Sequence, residues 1–256
     1  MYDSFSSDYD RFVDWPERLK HELPFLLSQL REAGARRVLD AACGTGRHAI
    51  ALAERGFEVA GADASAAMIA RASANARESD VRAEFKQVGF GSFAATFGHG
   101  AFDAIVCLGN SLPHVLDPVH LARALSDFAV CLRPGGVLII QNRNFDAILA
   151  GHARWMEPQA HREGEREWLF VRFYDFDADG LLTFNIVTLR REQGSGWEQA
   201  TISTRLRAQP QAELAKALTD AGFASLTFFG DMSGSAFDAA SSGNLVILGK
   251  TTDQRK

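Results

Sequence analysis

Apolar positions along this chain change rhythm twice. Up to about residue 150, short apolar runs alternate with stretches of helical period. The runs are Arg37–Asp40, built on Val38 and Leu39, then Phe57–Ala62, Ala83–Val88, Phe102–Leu108 and Val137–Gln141. Each reads as a strand. The 102–108 run is almost continuously apolar, as expected of a strand covered by helices on both faces. Between the strands, one helix opens near Arg47 and stops at Gly56, and a second is capped by Ser65. Another spans Pro118–Leu132, with Leu121, Ala124, Leu125, Phe128 and Leu132 on one face, and Pro134-Gly135-Gly136 turns the chain into the fifth strand. Strand–helix alternation of this kind predicts an α/β fold with a doubly wound, mostly parallel sheet.

The flanks behave differently. Tyr2, Phe5, Tyr9, Phe12 and Trp15 recur at spacings of three and four, a helical period. Leu19, Leu23, Leu26, Leu27 and Leu30 continue an apolar stripe to the stop at Gly34, and Pro24 sets the start of its regular part. Residues 1–35 therefore form a helical cap before a core over 36–154. Across 155–209 the pattern becomes long and partly alternating. Leu169–Phe176, Leu181–Arg190 and Trp197–Leu206 predict a three-stranded antiparallel sheet, turned at 177–180 and 193–196. In 210–256 a helix over Pro210–Ala221 precedes two strands, Ala224–Gly230 and Asn244–Lys250, that close the core sheet as an antiparallel pair.

Composition narrows the classes. The chain has 256 residues, a net charge of −5 and no basic block, which argues against a nucleic-acid partner. No apolar run approaches a membrane span, and Met1–Phe5 lacks the features of a signal peptide. Cys43, Cys107 and Cys131 fit neither a disulfide frame nor a zinc site, and imply a reducing, cytoplasmic setting.

The chemistry starts where the first strand ends. Asp40 leads through Cys43-Gly44-Thr45-Gly46 into a helix. Glycines at such a turn let a ligand approach the backbone. The run Gly44–Ala49 also fits the G-x-G-x-x-G/A dinucleotide pattern. A carboxylate at Asp40 would repel a pyrophosphate and attract a cation. An acid at the second strand's tip, Asp63, stands about 20 residues on, where a ribose diol is bound.

The stretch 37–49 resembles motif I of the class I S-adenosylmethionine-dependent methyltransferases, and the Leu132–Gly136 run resembles a later motif of that family. The resemblance implies a Rossmann-like seven-stranded sheet of order 3-2-1-4-5-7-6 with its last strand antiparallel, and the 155–209 sheet as a lid over the active site. It implies S-adenosylmethionine as cofactor, lined by Asp40, Ala42, Gly44, Gly46, Asp63, Ala64 and Leu108. Met68 would pack near the adenine. Many members place an Asp or Asn after the third strand. This chain has Gly89 and then Phe90, so adenine would be held by stacking on Phe90 and by backbone. From the leader, Tyr9 would cover the cofactor and Arg18 would reach its carboxylate.

Two further stretches, Cys107-Leu108-Gly109-Asn110-Ser111 with His114, and Arg143-Asn144-Phe145-Asp146 with Ile148-Leu149, resemble the glycine and sarcosine N-methyltransferases. The implied substrate is a small carboxylate-bearing amine, held by Arg143 at its carboxylate and lined by Asn110 at its amine. His114 would be a proton acceptor, and Tyr174 with Arg172 would be lid contributors on one strand face. Another small amine or hydroxyl, or a non-catalytic cofactor-binding module, are the competing readings. No metal site is expected, because no acid follows the fourth strand before Asp117. The residues do not fix an oligomeric state.

Overall fold

The computed structural model describes residues 10–252. Seven strands form the core sheet: β1 (Arg37–Ala41), β2 (Glu58–Asp63), β3 (Glu84–Gln87), β4 (Phe102–Cys107), β5 (Leu132–Arg143), β10 (Phe223–Phe229) and β11 (Asn244–Thr251). Their spatial order is β10-β11-β5-β4-β1-β2-β3, with β11 antiparallel to both neighbours. Counting core strands alone, this is the expected 3-2-1-4-5-7-6 order.

Alternation along each strand divides the core into two layers. Leu39, Ile105, Leu138, Ile140 and Ile247 pack with Leu121, Leu125 and Phe128 of α5 (Pro118–Cys131) and Leu214 and Leu218 of α7 (Gln211–Asp220). Their sheet neighbours Val38, Ala104, Val106, Val137, Ile139 and Val246 face the other way. There they meet Leu23, Leu26 and Leu30 of α1 (Trp15–Glu32) and Ala49 and Leu52 of α2 (Arg47–Ala53).

Three expectations change. Helix α1 runs straight through Pro24 rather than starting there. An internal proline costs about 3 kcal/mol, and burial of Leu23, Phe25, Leu26 and Leu30 around it offsets that at about 1.5–3 kcal/mol each. Strand β5 begins at Leu132, so Pro134-Gly135-Gly136 lies inside it, at a register shift against β4 between Phe102 and Ala104. The lid sheet has four strands rather than three: β6 (Gln159–Glu163), β7 (Arg166–Phe176), β8 (Leu182–Glu192) and β9 (Glu198–Leu206). Strand β6 is polar but for Ala160 and sits on an edge, so it carries no hydrophobic alternation to betray it.

The lid is rooted in the core. Tyr174, Leu182 and Leu206 pack with Phe145 and Ile148 of α6 (Phe145–Gly151). Asn144 fixes that junction. Its Oδ1 caps α6 by accepting from Ala147 N at 3.3 Å, and its Nδ2 donates to the carbonyls of Ala239 (3.0 Å) and Ser242 (2.9 Å). No helix among the described residues is long and apolar enough to cross a membrane.

Replacing Asn144 by alanine removes a cap and leaves the part-buried carbonyls of Ala239 and Ser242 without their donor. Urea denaturation should show a loss of about 2–4 kcal/mol, and a change under about 0.5 kcal/mol would refute the structural role given to this side chain.

Candidate active site

The carboxyl ends of β1, β2, β4 and β5 converge on one edge of the sheet, and the sequence-predicted residues are spread along it. After β1, the chain turns through positive φ at Ala42 (61°), Gly44 (54°) and Gly46 (78°). At Gly46 the need for glycine is double, since a Cβ would also lie 2.9 Å from Ala72 and 3.0 Å from the Phe85 ring. Asp63 is tied to this turn. Its Oδ2 accepts from Gly44 N at 3.0 Å and its Oδ1 from Ser65 N at 2.9 Å. Ser65, not Asp63, caps α3 (Ala66–Glu78), accepting from the amide of buried Met68.

Asp40 is 2% exposed, and its Oδ2 has no hydrogen-bond partner. Burial pushes its pKa up to about 7. The Ala49 amide bond lowers it, Asp63 raises it, and the Arg18 charge lowers it.

Tyr9 lies outside the described residues. Arg18 does reach the edge. Its Nε donates to both carboxylate oxygens of Glu22 at 3.1 Å, and its Nη2 lies 3.5 Å from where a Gly109 Cβ would be. Glu22 is buried and hydrogen-bonds His48 Nε2 at 2.6 Å. It also accepts from Gln141 Nε2 at 3.5 Å, while Gln141 Oε1 accepts from Gly109 N at 2.8 Å. Although burial raises its pKa, these partners hold Glu22 below the usual carboxylate range.

Sequence reasoning missed this network. Its one visible signal was an acid four residues after Arg18, inside an apolar stripe. It also missed Asp10, which accepts from Thr45 Oγ1 (2.7 Å), Arg47 Nη2 (2.7 Å) and Trp15 Nε1 (3.0 Å). Nothing in the pattern marked that acid, because Thr45 and Arg47 lie in the glycine turn and at the start of α2, both distant in sequence.

Where adenine is expected, Gly89 faces Ala64 across the β2 and β3 tips, its missing Cβ 3.6 Å from Ala64 Cβ. The Phe90 ring stands edge-on to Phe93 (6.0 Å) and Phe128 (5.9 Å), so the core holds its orientation.

Beyond β4, Leu108 is buried and Asn110 takes a φ of 64°. Asn110 donates its N–H to Gln141 O at 3.0 Å, and its Oδ1 accepts from Arg143 N at 2.9 Å. One lone pair of the oxygen expected to meet the substrate amine is therefore committed to the backbone; the second lone pair and the Nδ2 group remain. His114 ends a short 3₁₀ turn, Leu112–His114, where burial lowers its pKa to about 4. It is neutral at pH 7 and a weak proton acceptor, which counts against the acceptor role expected of it.

Arg143 Nε is buried without a partner. On β7, Trp168, Phe170 and Tyr174 are buried, so Arg172 shares their inward face. Burial pushes the Tyr174 phenol up to about 12, while Arg143 and Arg172 pull it down.

The Methyltransferase domain family matches residues 38–136. The glycine/sarcosine N-methyltransferase of Aphanothece halophytica is 33% identical over 208 residues, covering 74% of this chain and 74% of that protein. The chain belongs to the S-adenosylmethionine-dependent methyltransferases. Another member, the glycine/sarcosine N-methyltransferase of Parasynechococcus marenigrum, is 42% identical over 149 residues. That match takes in 58% of this chain and 52% of the relative, so the chain spans about half of that protein's length. The fold of this methyltransferase superposes on an S-adenosylmethionine-dependent methyltransferase from Clostridium acetobutylicum with a TM-score of 0.77 at 18% identity, covering 98% and 99% of the two chains.

The glycine turn fits the family's methyl donor rather than a dinucleotide. A buried carboxylate oxygen without a partner calls for a cation, and a second acid, Asp63, adds to the negative field. Asp40 also carries a pH signature. Its pKa is raised on folding, so it stabilises the ligand-free protein below about pH 4 and loses that contribution as pH rises through about 7. Cofactor affinity runs the opposite way, strengthening as Asp40 ionises. Calorimetric titration with S-adenosylmethionine should show Kd falling up to about tenfold from pH 6 to 8. Asp40→Asn should flatten that profile, and an equally steep profile in the variant would reject the assignment.

Proposed function

We propose that this methyltransferase methylates the amine of a small carboxylate-bearing molecule of the glycine or sarcosine kind. The observation that carries the reading is Arg143. It stands at the carboxyl end of β5, with its Nε buried and unpartnered among the described residues. A guanidinium left in that state is matched by a carboxylate in a two-pronged hydrogen-bonded pair. The relatives named as glycine/sarcosine N-methyltransferases support it.

In this reading Asp40, Ala42, Gly44, Gly46, Leu108, Met68, Gly89, Phe90 and Ala64 line the cofactor. Asp63 accepts from the ribose hydroxyls, and Arg18, steadied by Glu22, meets the cofactor carboxylate. S-adenosylmethionine, when bound, supplies a methyl on a positively charged sulfur. The protein aligns the acceptor and excludes water. Arg143 fixes the acceptor's carboxylate, and Asn110 stands beside its amine.

Proton handling follows from the electrostatics. His114 at about 4 and Tyr174 at about 12 are both neutral at pH 7, and neither takes a proton readily. The positive charge of Arg143 disfavours an ammonium beside it, so the amine binds in its neutral form without a dedicated base. The three free buried cysteines suit a reducing, cytoplasmic setting.

Incubation with labelled cofactor and glycine, sarcosine or dimethylglycine tests the substrate class; methylation of neutral amines alone would overturn it. Arg143→Ala should raise KM for the carboxylate-bearing amine about 100-fold, near 3 kcal/mol, with cofactor Kd little changed. Asp63→Ala should weaken cofactor binding by about 1–3 kcal/mol, and an unaltered dissociation constant would remove it from the ribose site.

A further inference from the structure

Arg143 is not alone. Arg172 lies on the inward face of β7, in a lid strand whose other inward residues are Trp168, Phe170 and Tyr174. Its Nε, like that of Arg143, is buried without a hydrogen-bond partner. Its remaining contacts do not neutralise it: Nη2 donates to the Glu157 carbonyl at a long 3.4 Å, and the guanidinium sits 5.1 Å from the centre of the Phe12 ring. The charges acting on it are equally one-sided. Burial lowers its pKa first and Arg143 lowers it further, while only Tyr174 raises it. No carboxylate stands among them.

Each guanidinium keeps a buried Nε that no acid matches, and the charge of Arg143 acts unfavourably on Arg172, as like charges do. Such an arrangement is stable where an anion completes it. We propose that Arg172 is a second ligand for the acceptor's carboxylate, clamping it from the lid while Arg143 clamps it from β5. This rests on the carboxylate-bearing substrate proposed above and deepens it, because it makes the acceptor's anionic end a condition for lid contact. Phe12 positions Arg172, stacking on the guanidinium and meeting Phe170 edge-on at 5.3 Å. A neutral amine of similar size leaves both guanidinium groups without an anion and is rejected for that reason.

The probe is acetate, a carboxylate without an amine, titrated by NMR into the protein saturated with S-adenosylhomocysteine. Arg172→Met and Arg143→Met are each expected to weaken acetate at least tenfold, with S-adenosylhomocysteine affinity within twofold of the parent. Arg172→Lys, which keeps the charge and bulk but not the fork, should recover part of the loss, and melting curves identify any variant that fails to fold. If Arg172→Met binds acetate as the parent does while Arg143→Met does not, Arg172 is no ligand and the inference falls, leaving the proposed function untouched. Acetate lost in both variants, in a parent protein that methylates neither glycine nor sarcosine, keeps the double clamp and rejects the proposed substrate. A parent protein that does not bind acetate at all overturns the inference.

Discussion

A carboxylate buried with one oxygen unsatisfied is the constraint around which this edge of the sheet is arranged. Leaving a buried acceptor unmatched costs about 1–3 kcal/mol, and more if it is charged. Asp40 accepts that position near the end of a strand in which Val38, Leu39 and Ala41 are core. The surroundings keep it there. The Ala49 amide satisfies part of the charge, Arg18 supplies a distant cation, and Asp63 opposes both. Local positive φ at Ala42, Gly44 and Gly46 holds the turn open above it. Strain and desolvation at one place, supported by a well-packed two-layer core, are the usual condition of a binding site.

The leader turns this local arrangement into a connected one. Asp10 gathers Thr45, Arg47 and Trp15 onto the glycine turn. Arg11 next to it donates to Glu163 of β6 at 3.0 Å and lies 4.9 Å from the Trp168 ring centre. Phe12 then packs on Phe170 and Arg172. Three consecutive residues thus touch the cofactor loop, the lid edge and the lid's inward face. Burial lifts the Asp10 pKa, but bonds from Arg47 and Thr45 outweigh it and keep the carboxyl ionised. The tie therefore persists at neutral pH.

What the sequence disclosed follows from which interactions are local. Strand–helix alternation and the Ser65 cap rest on short-range signals, the antiparallel last strand on the family resemblance, and each appears in the structure. Strand β6 was hidden because Gln159–Glu163 lies on the sheet edge with no buried face to impose a pattern. Pro24 misled because local propensity was overridden by packing at Leu23, Phe25 and Leu26. The inward face of β7 was undecidable from alternation, since both faces carry aromatic residues; only contact with Phe145 and Ile148 settles it. The Arg143–Asp146 motif reads as one functional run, yet Asn144 and Asp146 serve the scaffold. Asn144 secures the 238–242 loop, and Asp146 Oδ2 accepts from Gln211 N at 2.8 Å, joining α6 to α7. Of that run, Arg143 keeps a buried donor, its Nε, without a partner.

Charge is also sorted along the site. Asp40, Asp63 and Glu22 cluster at the glycine-turn end, and Arg143 and Arg172 at the lid end. A molecule carrying a carboxylate at one end and an amine at the other is oriented by such a field before any specific contact forms. In the proposed reading its carboxylate is drawn to the arginines. The amine must arrive neutral to have a lone pair to offer, and the arginines favour that form by making an ammonium costly nearby. In that reading the arginines select the anionic end and turn the molecule, while the neutral His114 and Tyr174 add no charge to the field they set.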